Sequence, residues 1–316
     1  MQEIRYVRAE QNSTTGWAEK RFRRLLVKQA GGYLFILPAY LLLALITVYP
    51  VAKTIQMSLT SFSFQTSHVA WLGLSEFGKV VTSGEFWSSV RITLIFTFGS
   101  LIFHALFAWI LALLMFASNG LGWARNLFRG LWILPWLFST AAAALMWGLL
   151  YNPFGVVNFT LVNSGVLQQP IDFLGRTSSA LGALVNVNVW KTYPIYFVLL
   201  LGAMQSVPEV LLEAARVEGA SYWGELRYAV VPFVWPAVLT MTLLDFITTF
   251  GHFDLVKLMT GGGPQSSTQT LAFYVYREAF MSGNFSYSAA VSVLMFAFLS
   301  VCSIIYIRAY IRSNRI

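Results

Sequence analysis

Two clusters of side chains in this sequence could hold a ligand, and both lie inside long apolar runs. Asn186, Asn188, Trp190, Lys191, Thr192 and Tyr193 crowd into one run, and Thr242, Asp245, Thr248 and Thr249 recur at helical spacing on roughly one face of another. Planar polar groups combined with aromatic rings are the means of holding a neutral, hydroxyl-rich molecule such as a sugar. Polar groups in hydrocarbon are costly and face a bundle interior or an aqueous path, so Asn186, Asn188, Trp190, Lys191, Tyr193, Thr242, Asp245 and Thr249 are the candidates to line a path. The plainer alternative is that these groups only hydrogen-bond helix to helix. His104 reads as an interhelical hydrogen-bond partner, because no second histidine or acid stands near it at relay spacing. Catalysis has no comparable support: no nucleophile–base pair can be read, and three distant histidines offer no metal-ligand spacing. Cys302 is the single cysteine, which excludes an intrachain disulfide.

A third chemically dense stretch, Ser206 to Pro232, is a polar interruption between two apolar runs. Ser206 and Glu209 have the spacing of a capping box with Pro208 in the first turn, and Leu211, Ala214, Ala215 and Glu218 share one helical face. Gly219 sits where a helix C-cap is expected, Ser221 can cap a second short helix, and Pro232 opens the next apolar run. The expectation is a helix-turn-helix bracket. Gly73, Gly78 and Lys79 superficially match a phosphate-binding loop, but Val80 replaces the hydroxyl needed for magnesium and no strand precedes it. The chain should not hydrolyse ATP itself.

The elements that must position these groups are membrane helices. With 57% hydrophobic and 11% charged residues and a mean hydropathy of +0.64, the chain reads as an all-α polytopic membrane protein. Six stretches satisfy the ~20 apolar residues needed to cross ~30 Å of hydrocarbon, at about 32–55, 89–117, 128–151, 178–205, 230–251 and 286–309. Pro194 should break or kink the fourth. Lys53 and Arg91 sit at span ends, where long side chains snorkel. The net charge of +8 could suggest nucleic acid, but the basic residues flank spans and set orientation instead. They place both termini and the 206–232 bracket in the cytoplasm. Residues 1–31 form a basic arm unlike a cleaved signal peptide, with Trp17 to Gln29 either an interfacial helix against membrane lipid or a solvated one. Residues 310–316 are a short tail. Asn152 to Thr177 and His252 to Phe285 read as flexible loops from their composition.

Several motifs carry a family resemblance. Glu213-Ala214-Ala215, Gly219 and Pro232 are spaced as in the EAA loop of bacterial ABC-importer permeases, with Ala229 and Val231 where that family usually has Ile and Leu. Trp71 to Phe77, Phe253-Asp254, Leu258 to Pro264 and Tyr274 to Phe280 are similar to segments of the carbohydrate-uptake type, and the resemblance runs from about Gly31 to the C-terminus. It implies a MetI-like type I permease fold in the bacterial inner membrane, importing a sugar or oligosaccharide. Glu209, Glu213, Ala214, Ala215, Glu218 and Gly219 would then meet a cytoplasmic ATPase subunit, while Gly261, Gly262, Gly263 and Pro264 would meet an extracytoplasmic sugar-binding protein. The implied partners are a second, homologous but non-identical permease and two ATPase subunits that bind ATP and Mg; this chain would carry no cofactor. Two rivals stand beside it. An ion-coupled secondary transporter would use Asp245 and His104 as coupling groups, although no internal repeat is visible, and a membrane scaffold would need no polar lining.

Overall fold

A computed structural model describes residues 36–62, 70–117 and 122–313, so the basic arm and the interfacial-helix expectation lie outside the described residues. The chain divides into two compact units, Met1–Gln56 and Met57–Ile316. The first contributes most of helix α1 (Ile36–Ser58), whose apolar side chains are exposed along its length. A π turn at Ala44–Val48 lies just before Pro50, whose ring needs room in the preceding turn.

Among its described residues, the regular structure of the second unit is helical apart from an isolated bridge between Thr60 and Trp71. Its elements are α2 (Ser75–Thr82), α3 (Gly84–Ala117), α4 (Gly122–Leu137), α5 (Thr140–Leu150), α6 (Val156–Asn163) and α7 (Ala180–Gln205). They continue as α8 (Glu209–Val217), α9 (Tyr222–Phe250), α10 (Asp254–Met259), α11 (Leu271–Tyr276, running into a π turn at Arg277–Met281) and α12 (Phe285–Ser313). Among the described residues five helices, namely α1, α3, α7, α9 and α12, are long and apolar enough to cross a membrane, and the α4–α5 pair makes a sixth span if its two halves are taken together. Three apolar clusters bind the second unit. One joins Ala108 and Ala112 of α3 to Phe197, Leu200 and Leu201 of α7; another joins Phe96, Leu184, Val187 and Leu255; a third joins Val80, Phe250, Leu271 and Val291.

Local chemistry explains where these elements depart from the sequence reading. The third span is broken by 93° between Leu137 and Thr140. Pro135 withdraws a backbone donor from that turn, and Ser139 takes an extended conformation and accepts the Ala142 N–H at 3.1 Å, which restarts a helix inside an apolar run. Pro194, by contrast, does not break α7, the most deeply buried of the long helices. One missing donor is tolerated where close packing on neighbouring helices holds the turn. The second span begins five residues early, at Gly84. The capping box is also absent. Ser206 still ends α7, its hydroxyl donating to Ala203 O at 2.8 Å, because Pro208 pushes the residue before it out of helical geometry; Pro208 itself caps α8 without a side-chain bond. The bracket's second helix is not separate from the fifth span: α9 runs from Tyr222 to Phe250 with a π turn at Leu226–Val230, two residues before Pro232.

Both segments read as flexible are ordered. Asn158, 1% exposed, donates to Asn152 O at 3.0 Å and Ile171 O at 2.9 Å and accepts from Ile171 N at 2.7 Å, clasping the 152–177 segment. The 252–285 segment folds as α10 and α11, with Leu255, Thr268, Gln269 and Tyr274 buried.

Candidate translocation site

The fourth and fifth spans meet the second at a buried polar junction. His104, fully buried on α3, places Nδ1 2.7 Å from Asp245 Oδ2 and Nε2 3.3 Å from the main-chain carbonyl of Asn188. Thr249, one turn beyond Asp245 on α9, donates to Asp245 Oδ1 at 2.9 Å. A carbonyl oxygen can only accept, so His104 Nε2 is the donor in its contact with Asn188 O. The sequence reading of His104 as an interhelical partner fits this geometry, and its partner was hidden by a separation of 141 residues.

Beside the junction lies a cavity of about 300 Å3 lined by Asn188, Thr192, Thr248, Thr249, Gly251, His252, Phe253 and Asp254. Asn188 is 1% exposed, yet neither its amide nitrogen nor its amide oxygen has a hydrogen-bond partner. A buried amide left unpaired costs about 1–3 kcal/mol, a cost that a ligand or water in the cavity recovers. His252 is held neutral. Burial, reinforced by the nearby Lys191 charge, lowers its pKa to about 4.

The structure brings together only part of the candidate set. Asn188 and Thr249, with Thr192 and Thr248, line the cavity; Asp245 lies against it with both oxygens engaged. Asn186 instead donates to the Tyr151 hydroxyl at 2.7 Å, and Trp190 packs against Phe138 and Trp147 at 5.8 and 5.7 Å beside the break between α4 and α5. Tyr193 packs against Phe107 and Trp132, and Thr242 shares a hydrogen bond with Tyr196. Sequence reasoning missed His252 and Gly251. The available signal was proximity, since Gly251 and His252 directly follow the polar end of the fifth span, two and three residues after Thr249.

At the end of the bundle that carries α10 and α11, the glycine-rich turn is anchored rather than loose. Gly262 has φ +81°, and a Cβ there would lie 2.6 Å from the Phe273 ring. Gly262 is buried and Gly261 exposed, with Gly263 and Pro264 between. Thr268, itself buried, donates to Gly263 O at 2.7 Å. Arg277 reaches Glu85 at 2.5 Å, Gln269 at 2.6 Å and Glu278 at 3.0 Å, and Gln269 donates to Ser89 at 3.0 Å. Hydrogen bonding to Glu85 raises the Arg277 pKa despite partial burial.

At the opposite end of α7 and α9 stands the bracket. Glu209, Glu213, Ala214, Glu218 and Gly219 are exposed and Ala215 is half-buried. Gly219 has φ +83°, with open space where a Cβ would stand. Ser221 accepts from Gly224 N at 3.4 Å, and Arg216 grips Glu225 through Nε at 3.0 Å and an Nη at 3.2 Å. Val210, Val217, Trp223 and Tyr228 are each more than 70% exposed, an apolar patch at a polar loop.

Residues 106–316 match the family model described as the inner membrane component of binding-protein-dependent transport systems. Among curated proteins, the chain is 30% identical to a trehalose/maltose transport system permease of Thermococcus litoralis, over 88% of this chain and 92% of that one. It is 28% identical to a trehalose transport system permease of Mycobacterium tuberculosis over 95% of each chain, and 31% identical to a sulfoquinovosyl glycerol permease of Agrobacterium fabrum over 93% and 92%. Among solved structures, a chain of a bacterial ABC transporter that imports the acidic polysaccharide alginate superposes with a TM-score of 0.79 at 20% identity, covering 92% of this chain and 99% of that one. The same transporter in complex with its periplasmic protein, bound to alginate pentasaccharide, gives a TM-score of 0.74 at 21% identity.

Proposed function

Because the chain belongs to the inner membrane components of binding-protein-dependent transport systems, an ABC-importer permease family, we propose that it forms half of the translocation path for a neutral sugar or oligosaccharide. The observation that carries this reading is the cavity beside Asn188. Its walls offer an unpaired buried amide, three threonine hydroxyls and a neutral imidazole, which suit ligand hydroxyls. Asn188, Thr249, Thr192 and His252 contact the sugar; Lys191 stands by, and Asn186, Trp190, Tyr193 and Thr242 shape the helices around it. A periplasmic binding protein delivers the sugar at the Gly261–Pro264 turn, whose first residue is exposed. A second, homologous permease completes the path. Two ATPase subunits, which bind ATP and Mg, dock on the bracket through Glu209, Glu213, Ala214, Ala215, Glu218 and Gly219, with the exposed Val210, Val217 and Trp223 supplying apolar contact. Both termini and the bracket are cytoplasmic. ATP closes the ATPase pair, the bracket moves with it, and the permease pair opens outward to receive the sugar.

The ion-coupled alternative is not favoured, since the family is one of ABC permeases and Asp245 spends both oxygens on His104 and Thr249. The test is the complex reconstituted in liposomes with its binding protein, offered the neutral sugars trehalose and maltose in turn. One of them is expected to stimulate ATP hydrolysis and to accumulate inside. Gly219→Asp is expected to abolish uptake while the permease still inserts; uptake at the wild-type level at matched expression would remove the coupling assignment.

A further inference from the structure

We propose that His104 is the positioning residue of the translocation cavity, fixing two cavity-lining groups on different spans without touching the ligand; this rests on the sugar-path reading above. One imidazole ties three helices together. Through Nε2 it holds the Asn188 carbonyl of α7, and through Nδ1 it holds Asp245 of α9, which in turn takes the hydrogen of Thr249. Two consequences follow for the cavity wall. The main chain at Asn188 is pinned while its side-chain amide stays unpartnered and lines the cavity, offering a donor and an acceptor. Thr249, whose only hydrogen is committed to Asp245, offers lone pairs alone. His104 therefore sets both the spacing and the polarity of the wall: an acceptor on α9 facing an ambivalent amide on α7. A ligand rich in hydroxyl donors satisfies both, and one bearing only acceptors at that point leaves Thr249 opposed.

The two ring nitrogens can be separated by substitution. An asparagine amide falls near Nδ1 and a glutamine amide near Nε2, so His104→Asn keeps the Asp245 arm and His104→Gln keeps the Asn188 arm, whereas His104→Ala loses both. The readout is sugar accumulated per ATP hydrolysed by the reconstituted full complex with loaded binding protein, using whichever of trehalose and maltose stimulates the wild type. Loss of cavity geometry lowers this ratio, while a folding defect lowers uptake and hydrolysis in step. His104→Ala is expected to cut the ratio about tenfold with stimulated hydrolysis within about twofold of wild type, and Asn and Gln are expected to fall between. The contact is checked without sugar by a melting-temperature cycle of His104→Gln and Asp245→Asn, in which the double variant is expected to be no worse than the poorer single one. Additive losses, or uptake and hydrolysis falling in proportion, overturn the positioning role. A wild-type complex stimulated by none of the loaded binding proteins overturns the sugar reading, and the cavity's role falls with it.

Discussion

Two acid–base side-chain pairs, His104–Asp245 within the bundle and Arg216–Glu225 at the bracket, have similar geometry, and their surroundings make them opposites. His104 and Asp245 meet at 2.7 Å with side chains 0% and 6% exposed, and they join spans 141 residues apart. Arg216 and Glu225 meet at 3.0 Å across nine residues, with the arginine side chain 55% exposed. In the membrane interior neither partner has water to fall back on, so the junction is a fixed point of the bundle. At the bracket, solvent competes for both charges, and the turn is held mainly by the left-handed Gly219 and the Ser221 cap. The comparison teaches a division of labour. The junction inside the bundle is built from contacts that cannot be given up cheaply, and the bracket from contacts that water can replace.

The comparison breaks most visibly at Asp245. Asp245→Ala leaves the His104 side of the pair buried and unmatched, and a loss of about 3–5 kcal/mol is expected, measured as the denaturation midpoint of the purified complex. A loss below about 1 kcal/mol would put the junction in the same class as the bracket.

A second probe uses pH. The folded pKa of His252 is about 4 against an ordinary value of 6.5, so the unfolded chain binds more protons between those values and stability rises with pH across that window. Stability from this group is complete above about 6.5 and drains as pH falls toward 4, by about 3 kcal/mol in all. Replacing His252 with glutamine should flatten the melting temperature over that range; an unchanged pH slope would show that the imidazole is not kept dry.

Next in size is Gly262→Ala, where a Cβ meets the Phe273 ring at 2.6 Å in a left-handed backbone. A cost of about 1–3 kcal/mol is expected, read as faster proteolysis of the 252–285 segment. The smallest effect belongs to Arg216→Ala. The melting temperature is expected to stay within error, while binding-protein-stimulated ATP hydrolysis falls, as it should if the bracket's ion pair shapes a docking surface. A clear loss of thermal stability would erase the contrast between the two pairs.

Much of this architecture was readable beforehand. Apolar length announced the spans, and the Glu213-Ala214-Ala215 to Gly219 spacing announced the bracket together with its left-handed glycine. The errors share a cause. Ser139 within an apolar run, the clasp at Asn158 and the anchoring of Thr268 and Gln269 all depend on partners or turns that composition does not weigh, so ordered segments read as loops and a broken span read as whole. In the candidate site, residue type found the groups but not their assignments. Asn186, Asn188, Trp190 and Tyr193 lie within two turns of one helix, and only packing decides that Asn188 lines the cavity while Asn186 meets Tyr151.

By itself, then, the sequence determined what local free energies settle: which segments are too apolar to leave a membrane, where helices must turn, and where backbone must be left-handed. Only the tertiary structure decided which buried polar groups would satisfy one another. A hydrogen bond between His104 and Asp245 spans 141 residues, and no local pattern encodes it. The same packing that brings those groups together leaves the Asn188 amide without a protein partner.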